Sequence, residues 1–205
     1  MATSVVARRK DTILVIQLDD PSGCPRLERK VLAQLSEQFE AAASSADVRG
    51  VVITGTESAF AAGADLSEVA GLSAVDALSF SALGQALMRR VESLHKPVVA
   101  AIRGWCLGGG FDLAMACHLR VAATDAIFGH PGGSLGLMTG WGGTARLPRI
   151  VGRARAAEML ITGETISAAQ AYAWGLVNRL VAPPDALSTA IVLAHDSAGH
   201  ASAAP

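Results

Sequence analysis

The chain has 205 residues, of which 51% are apolar and 17% charged, and its formal net charge is -1. That composition excludes general disorder, and the charge balance excludes nucleic acid or a membrane surface as a general partner. The length allows one domain with a sizeable core. Taken in order, residues 12–18 (Thr-Ile-Leu-Val-Ile-Gln-Leu) form a strand by their β-branched content. Leu27, Val31, Leu32, Leu35 and Phe39 recur at helical spacing and predict an amphipathic helix over 28–43. Residues 49–54 are a short apolar strand, of the kind buried on both faces. Residues 59–65 are a loop of small side chains, 73–94 a long helix, and 97–102 another buried strand. The chain then turns at Gly104 and meets Gly108-Gly109-Gly110, after which a helix opens over 111–117. Two short apolar pieces follow at 119–122 and 126–128, then a second glycine cluster over 129–143 and a helix over 153–161. Ser167-Ala168-Ala169-Gln170 is a capping box whose helix stops at Gly175. A last strand is expected over 177–181, and a final helix from an Asp185 N-cap to Ala194, with a fraying tail over 197–205. Strand–helix–strand alternation implies an α/β fold with crossover connections.

No stretch has the unbroken apolar length of a membrane span, and residues 1–4 open no long apolar signal segment. Three cysteines, Cys24, Cys106 and Cys117, are too few and too irregular for a disulfide framework or a metal site. A soluble, reduced, cytoplasmic protein with no bound metal is expected. Aromatic residues make up only 4%, which weakens base stacking as a binding mode.

Glycine clusters of this kind serve three types of site. Gly140-Trp141-Gly142-Gly143-Thr144-Ala145 fits a dinucleotide fingerprint, but no strand precedes it and no acidic residue follows at about 20 residues in the right setting. A glycine-rich turn entering a helix is the better account. Gly132-Gly133-Ser134-Leu135-Gly136 fits a nucleophile elbow, yet the residues after Ser134 are poor helix formers. The third type is an oxyanion hole. The first N–H groups of a helix have no internal partner and sit at the positive end of its dipole. Gly108-Gly109-Gly110 before a helix supplies one such donor, and the small-residue loop around Ala62, Gly63 and Ala64 supplies a second. One donor of this kind contributes roughly 3–4 kcal/mol to an oxyanion.

Those two segments carry a resemblance. Ala59-Phe60-Ala61-Ala62-Gly63-Ala64-Asp65-Leu66, then residues 96–102 with Gly104 and Leu107-Gly108-Gly109-Gly110, are similar to signatures of the crotonase superfamily, the enoyl-CoA hydratase/isomerase family. Gly142-Gly143-Thr144-Ala145-Arg146-Leu147, residues 160–163 and residues 171–177 continue it in the family's order. The resemblance implies a crotonase-like spiral of ββα units with a perpendicular small sheet, as a core over 1–184 with a short helix and tail over 185–205. It implies an acyl-CoA thioester as substrate, with coenzyme A part of that substrate and no separate cofactor, in fatty acid metabolism. The thioester oxygen is then held by the N–H groups of Ala64 and Gly109. Pro25, Arg26 and Leu27 fall where relatives contact the coenzyme, and Ala62, Asp65, Leu66, Gly108, Gly132 and Ser134 near the substrate. A homo-oligomer, a trimer in the family, is implied, although relatives continue with further helices where this chain has one.

Hydratases of the family use two glutamates around one water. By position the first is Asp112 here and the second is Gly132, which has no side chain to titrate. Asp112 lies three residues after Gly109, on the same helix face. His130, Glu68 and Ser134 are the candidates to replace the missing group. The expected activity is enoyl-CoA hydratase/isomerase chemistry with hydration impaired. The alternatives are another one-base reaction of the superfamily, isomerisation or C–C hydrolysis, and a non-catalytic acyl-CoA-binding or assembly subunit.

Overall fold

A computed structural model describes residues 2–201. The chain opens with an antiparallel pair, β1 (Ser4–Lys10) and β2 (Ile13–Asp19), turned by Asp11 at a φ of 53°. Strand β1 was not legible in the sequence: it is an edge strand with almost every side chain exposed, so it shows no apolar alternation. Next come α1 (Arg29–Ser44), β3 (Gly50–Thr54), β4 (Ala59–Ala61), α2 (Leu66–Ala70) and α3 (Ala74–Glu92). Then follow β5 (Val98–Ile102), β6 (Trp105–Leu107), α4 (Gly109–Ala116), β7 (Leu119–Ala123) and β8 (Ile127–Gly129). A 3-10 turn (Pro131–Leu135) leads to α5 (Gly143–Val151), α6 (Arg153–Thr162), β9 (Ile166–Ser167) and α7 (Ala168–Ala173). The chain closes with β10 (Arg179–Val181), a 3-10 turn (Pro183–Asp185) and α8 (Ala186–Ala201). The Ser167 hydroxyl accepts the Gln170 N–H at the start of α7, as the capping box predicts.

A six-stranded sheet runs β1-β2-β3-β5-β7-β10, parallel from β2 onward, and a four-stranded sheet runs β4-β6-β8-β9. Each repeating unit is thus one strand in the large sheet, one in the small sheet, and a helix: β3-β4-α2, β5-β6-α4, β7-β8-α5. This is the α/β architecture with ββα units that the resemblance implies. The three-residue strands β4 and β6 are too short to show a period, which is why one read as a loop and the other as a turn.

Period two along the buried strands divides the core into two faces. Ile16, Val51, Ile53, Val98 and Ala100 pack with α1 and α3 through Leu35, Phe39, Leu87 and Val91. Ile13, Val15, Val52, Val99 and Val121 pack with Ala190 and Ala194 of α8. The last helix therefore belongs to the same packed body. It also runs past the expected stop at Ala194, through Ala201, because the buried alanine stripe continues to Ala198 and the Arg49 guanidinium donates to the Ala198 carbonyl at 3.1 Å. Residues 202–205 of the expected tail lie outside the described residues. Asp185 sits in the preceding 3-10 turn, with its carbonyl accepting the Ser188 hydroxyl at 3.0 Å.

Arg120 of β7 is buried and anchors the end of α4. Its Nη1 donates to the Cys117 and Ala114 carbonyls at 2.6 and 3.3 Å, and its Nε donates to the Leu176 carbonyl at 2.7 Å. Removing the guanidinium leaves three buried carbonyls without these donors. Arg120→Met is expected to lower unfolding free energy by about 3 kcal/mol or more, read from the urea midpoint. An unchanged midpoint would show that this anchor is dispensable.

Candidate active site

Two loops leave the small sheet side by side. Residues 62–64 follow β4, and Gly108 follows β6 and opens α4. Their backbones touch: a Cβ on Gly63 would lie 3.0 Å from the Gly109 nitrogen and 3.1 Å from the Leu107 carbonyl. Gly63 also has a φ of 93°, which an L side chain strains. A Cβ on Gly110 would lie 2.4 Å from the Ala61 carbonyl. A side chain is therefore excluded at Gly63 and Gly110, where the two backbones meet.

Neighbouring N–H groups are engaged. Ala62 donates to the Pro25 carbonyl at 2.8 Å, Gly108 to the Gly129 carbonyl at 2.9 Å, and Asp112 to the Gly108 carbonyl at 3.0 Å. The N–H groups of Ala64 and Gly109 make no hydrogen bond among the described residues. Gly109 is the first residue of α4, where no intrahelical acceptor exists. Both residues line one cleft of about 330 Å³. Its walls are mainly apolar, with Leu66, Val69, Phe80, Leu137, Met138 and Trp141 among them; Ser81, Asp112, His130 and Thr139 are its polar side chains. Apolar walls with a few convergent polar groups are the usual form of a small-molecule site.

Asp112 is 1% exposed. The Thr139 hydroxyl donates to its Oδ2. Its Oδ1 lies 3.4 Å from His130 Nε2, and neither of these two buried atoms has a hydrogen-bond partner. Burial pushes the Asp112 carboxyl up to about 6, against the opposing pull of Thr139 and the Arg146 charge. Burial alone drives His130 down to about 4, so its imidazole is neutral at pH 7. His130 packs against the Phe111 ring at 5.0 Å. The result is one carboxylate able to take up or release a proton near neutrality, beside a neutral imidazole.

The structure brings Ala62, Ala64, Leu66, Gly108, Gly109, Asp112, His130 and Gly132 to the cleft and leaves the other sequence candidates outside it. Pro25 and Leu27 are tied to the Ala62–Gly63 loop through backbone bonds. Arg26 pairs with Asp65 at 3.0 Å. Asp65 caps α2, accepting from the Ser67 and Glu68 N–H groups, and the Ser67 hydroxyl in particular holds its carboxyl down at about 2. Glu68 turns to Arg29, accepting its N–H at 3.3 Å. Ser134 lies on the 3-10 turn with its hydroxyl donating to the Pro131 carbonyl at 2.7 Å, so there is no strand–Ser–helix elbow. Of the three candidates to replace the missing second group, His130 alone reaches Asp112. A Cβ on Gly132 would lie 3.2 Å from the Leu137 carbonyl, so a side chain fits there if Leu137 yields by a few tenths of an ångström. Thr139 and Trp141 escaped the sequence reading as site residues, because no local spacing links them to Asp112. Among the described residues no cluster of three or more His, Cys, Asp or Glu could hold a metal, and no helix is long and apolar enough to cross a membrane.

The two buried groups make opposite contributions to stability. Asp112 has a raised folded pKa, so its contribution falls as pH rises from its ordinary value near 4 to about 6. His130 has a lowered folded pKa, so its contribution rises as pH climbs from about 4 to 6.5. Relative to the parent, Asp112→Asn should therefore gain stability as pH rises across this window, and His130→Gln should lose it, each by about 3 kcal/mol. Denaturant titrations at several pH values check this. Parallel curves for all three proteins would contradict the assigned environments.

The chain matches known proteins along most of its length. The family model for enoyl-CoA hydratase/isomerase covers residues 8–204. A crotonyl-CoA hydratase from Syntrophomonas wolfei is 38% identical over 185 residues, 90% of this chain and 71% of that protein. A short-chain-enoyl-CoA hydratase from Clostridium acetobutylicum is 35% identical over 94% of this chain and 74% of its own length. The crystal structure of an enoyl-CoA hydratase from Bacillus anthracis superposes with a TM-score of 0.89 at 36% identity, covering 96% of this chain and 76% of that one. With its ββα units and paired loops in the same order, the chain belongs to the enoyl-CoA hydratase/isomerase family of the crotonase superfamily.

Proposed function

We propose that the protein binds acyl-CoA thioesters and stabilises their enolates between the N–H groups of Ala64 and Gly109, with Asp112 moving the proton. One observation carries this: two unengaged backbone donors and one high-pKa carboxylate line the same apolar cleft. Relatives named for crotonyl-CoA and short-chain enoyl-CoA hydration support the substrate class. Coenzyme A enters as part of the substrate. A cytoplasmic homo-oligomer belongs to the same proposal, with a trimer mass expected in a sedimentation experiment.

The thioester oxygen accepts from both N–H groups, and charge flows onto it as an enolate. Hydration further requires that one group take a proton from water while a proton reaches carbon. Asp112 can do the first. Gly132 offers nothing for the second, and neutral His130 is a poor acid. A double-bond shift within the acyl chain needs only that one carboxylate take a proton from one carbon and return it to another. A group with a pKa of about 6 suits both halves of that step.

The test is hydration and isomerisation of short and medium enoyl-CoAs beside direct binding, for the parent, Asp112→Asn and Gly132→Glu. Parent hydration is expected to run roughly 10²–10⁴-fold below that of a two-carboxylate relative. Gly132→Glu should raise it. Asp112→Asn should bind but not turn over. The parent kcat/KM should rise with pH through about 6, as Asp112 becomes the free base. Fast parent hydration would refute the one-carboxylate reading, and absence of acyl-CoA binding would refute the thioester reading.

A further inference from the structure

Building on the acyl-CoA reading, we infer that Trp141 determines which acyl groups the cleft accepts. Its indole fills the space beside the thioester-holding residue that a branched or ring-bearing acyl group would need, and leaves room for a straight chain.

The indole is wedged between two helices at positions with no side chain. A Cβ on Gly109 of α4 would lie 2.2 Å from the ring carbon Cζ3, and a Cβ on Gly84 of α3 would lie 2.2 Å from Nε1. Both glycines are occupied by the ring. Phe80, one helical turn before Gly84, meets it edge-on at 5.4 Å. Trp141 is 5% exposed and is one of the residues that line the cleft.

This wall is fixed. The Trp141 carbonyl accepts Arg146 Nη1 at 3.0 Å, and Arg146 Nη2 in turn donates to Glu92 at the end of α3 at 2.7 Å. The preceding Gly140 carbonyl accepts Ser81 Oγ at 3.1 Å and Gln85 Nε2 at 2.9 Å, again from α3. The backbone is held to one helix on both sides of the indole. By contrast, Leu137 and Met138, which also line the cleft, are 43% and 62% exposed. A buried aromatic wall beside Gly109, with exposed apolar side chains elsewhere along the cleft, selects against bulk near the thioester and tolerates length beyond it.

The test measures dissociation constants for a straight-chain acyl-CoA (hexanoyl), a branched one (3-methylbutanoyl) and an aryl one (benzoyl). The proteins are the parent, Trp141→Leu, Trp141→Phe and Gly84→Ala, each first checked for a native circular dichroism spectrum. The parent is expected to favour the straight chain by at least about tenfold, the scale of one misplaced methylene in an apolar pocket. Trp141→Leu should narrow that preference by about tenfold. Trp141→Phe, which keeps an aromatic ring for Phe80 to meet, should narrow it less and serves if the leucine variant does not fold. Gly84→Ala pushes the indole toward the cleft and should weaken binding of all three. A straight-to-branched ratio that stays constant across the folded variants would overturn the wall. Failure of the parent to bind any of the three would instead overturn the thioester reading on which the wall rests.

Discussion

The site rests on a close approach of backbone to backbone between residues 61–63 and 108–110. A side chain on Gly63 or Gly110 would collide with the facing main chain. Because the two loops meet there, the N–H of Ala64 and the first N–H of α4 share one cleft, and neither has a hydrogen-bond partner among the described residues. Parallel strands explain how the loops come together. Strands β4 and β6 pair in the small sheet, so the segments that leave their ends emerge side by side. Arg120 holds the far end of α4 through the Cys117 and Ala114 carbonyls.

Asp112 is costly to keep where it is. A buried carboxylate resists ionisation, and among the described residues Thr139 alone hydrogen-bonds to it from a side chain, with the Trp141 and Gly143 N–H groups also pulling its pKa down and Oδ1 beside His130. A core selected for stability alone would have an apolar residue at this position. The raised pKa that follows from burial is also what fits the group for proton transfer near neutrality. Cost and chemical utility have the same origin, desolvation by the cleft walls.

How far the site is legible in the sequence depends on the range of the interactions that make it. Gly63, Gly108, Gly109 and Asp112 lie within a few residues of the turns that use them, and local rules for helix starts and glycine turns point to them. Thr139 and Trp141 act on Asp112 and Gly109 across a long separation, and no short motif marks that contact. His130 was one of three candidates in the sequence, and only tertiary packing separates it from Glu68 and Ser134, which turn to Arg29 and Pro131. The large-sheet strands from β2 to β7 are legible because they are apolar on both faces. Strand β1 is not, since it is exposed, and β4 and β6 are too short to show a period. The last turns of α8 are illegible for a different reason: small and polar residues look like a loose tail until tertiary packing buries Ala198 and Arg49 holds its carbonyl.

The central claim is that Ala64 and Gly109 together polarise a thioester carbonyl. The direct measurement is the infrared difference spectrum of an acyl-CoA carrying carbon-13 at that carbonyl, recorded free and bound to the parent protein. Two charge-stabilising donors on one oxygen should move the carbonyl stretch of the bound ligand clearly to lower frequency, and Asp112→Asn should leave that shift in place because the donors are backbone. A bound thioester whose carbonyl stretch coincides with that of the free ligand would contradict the account.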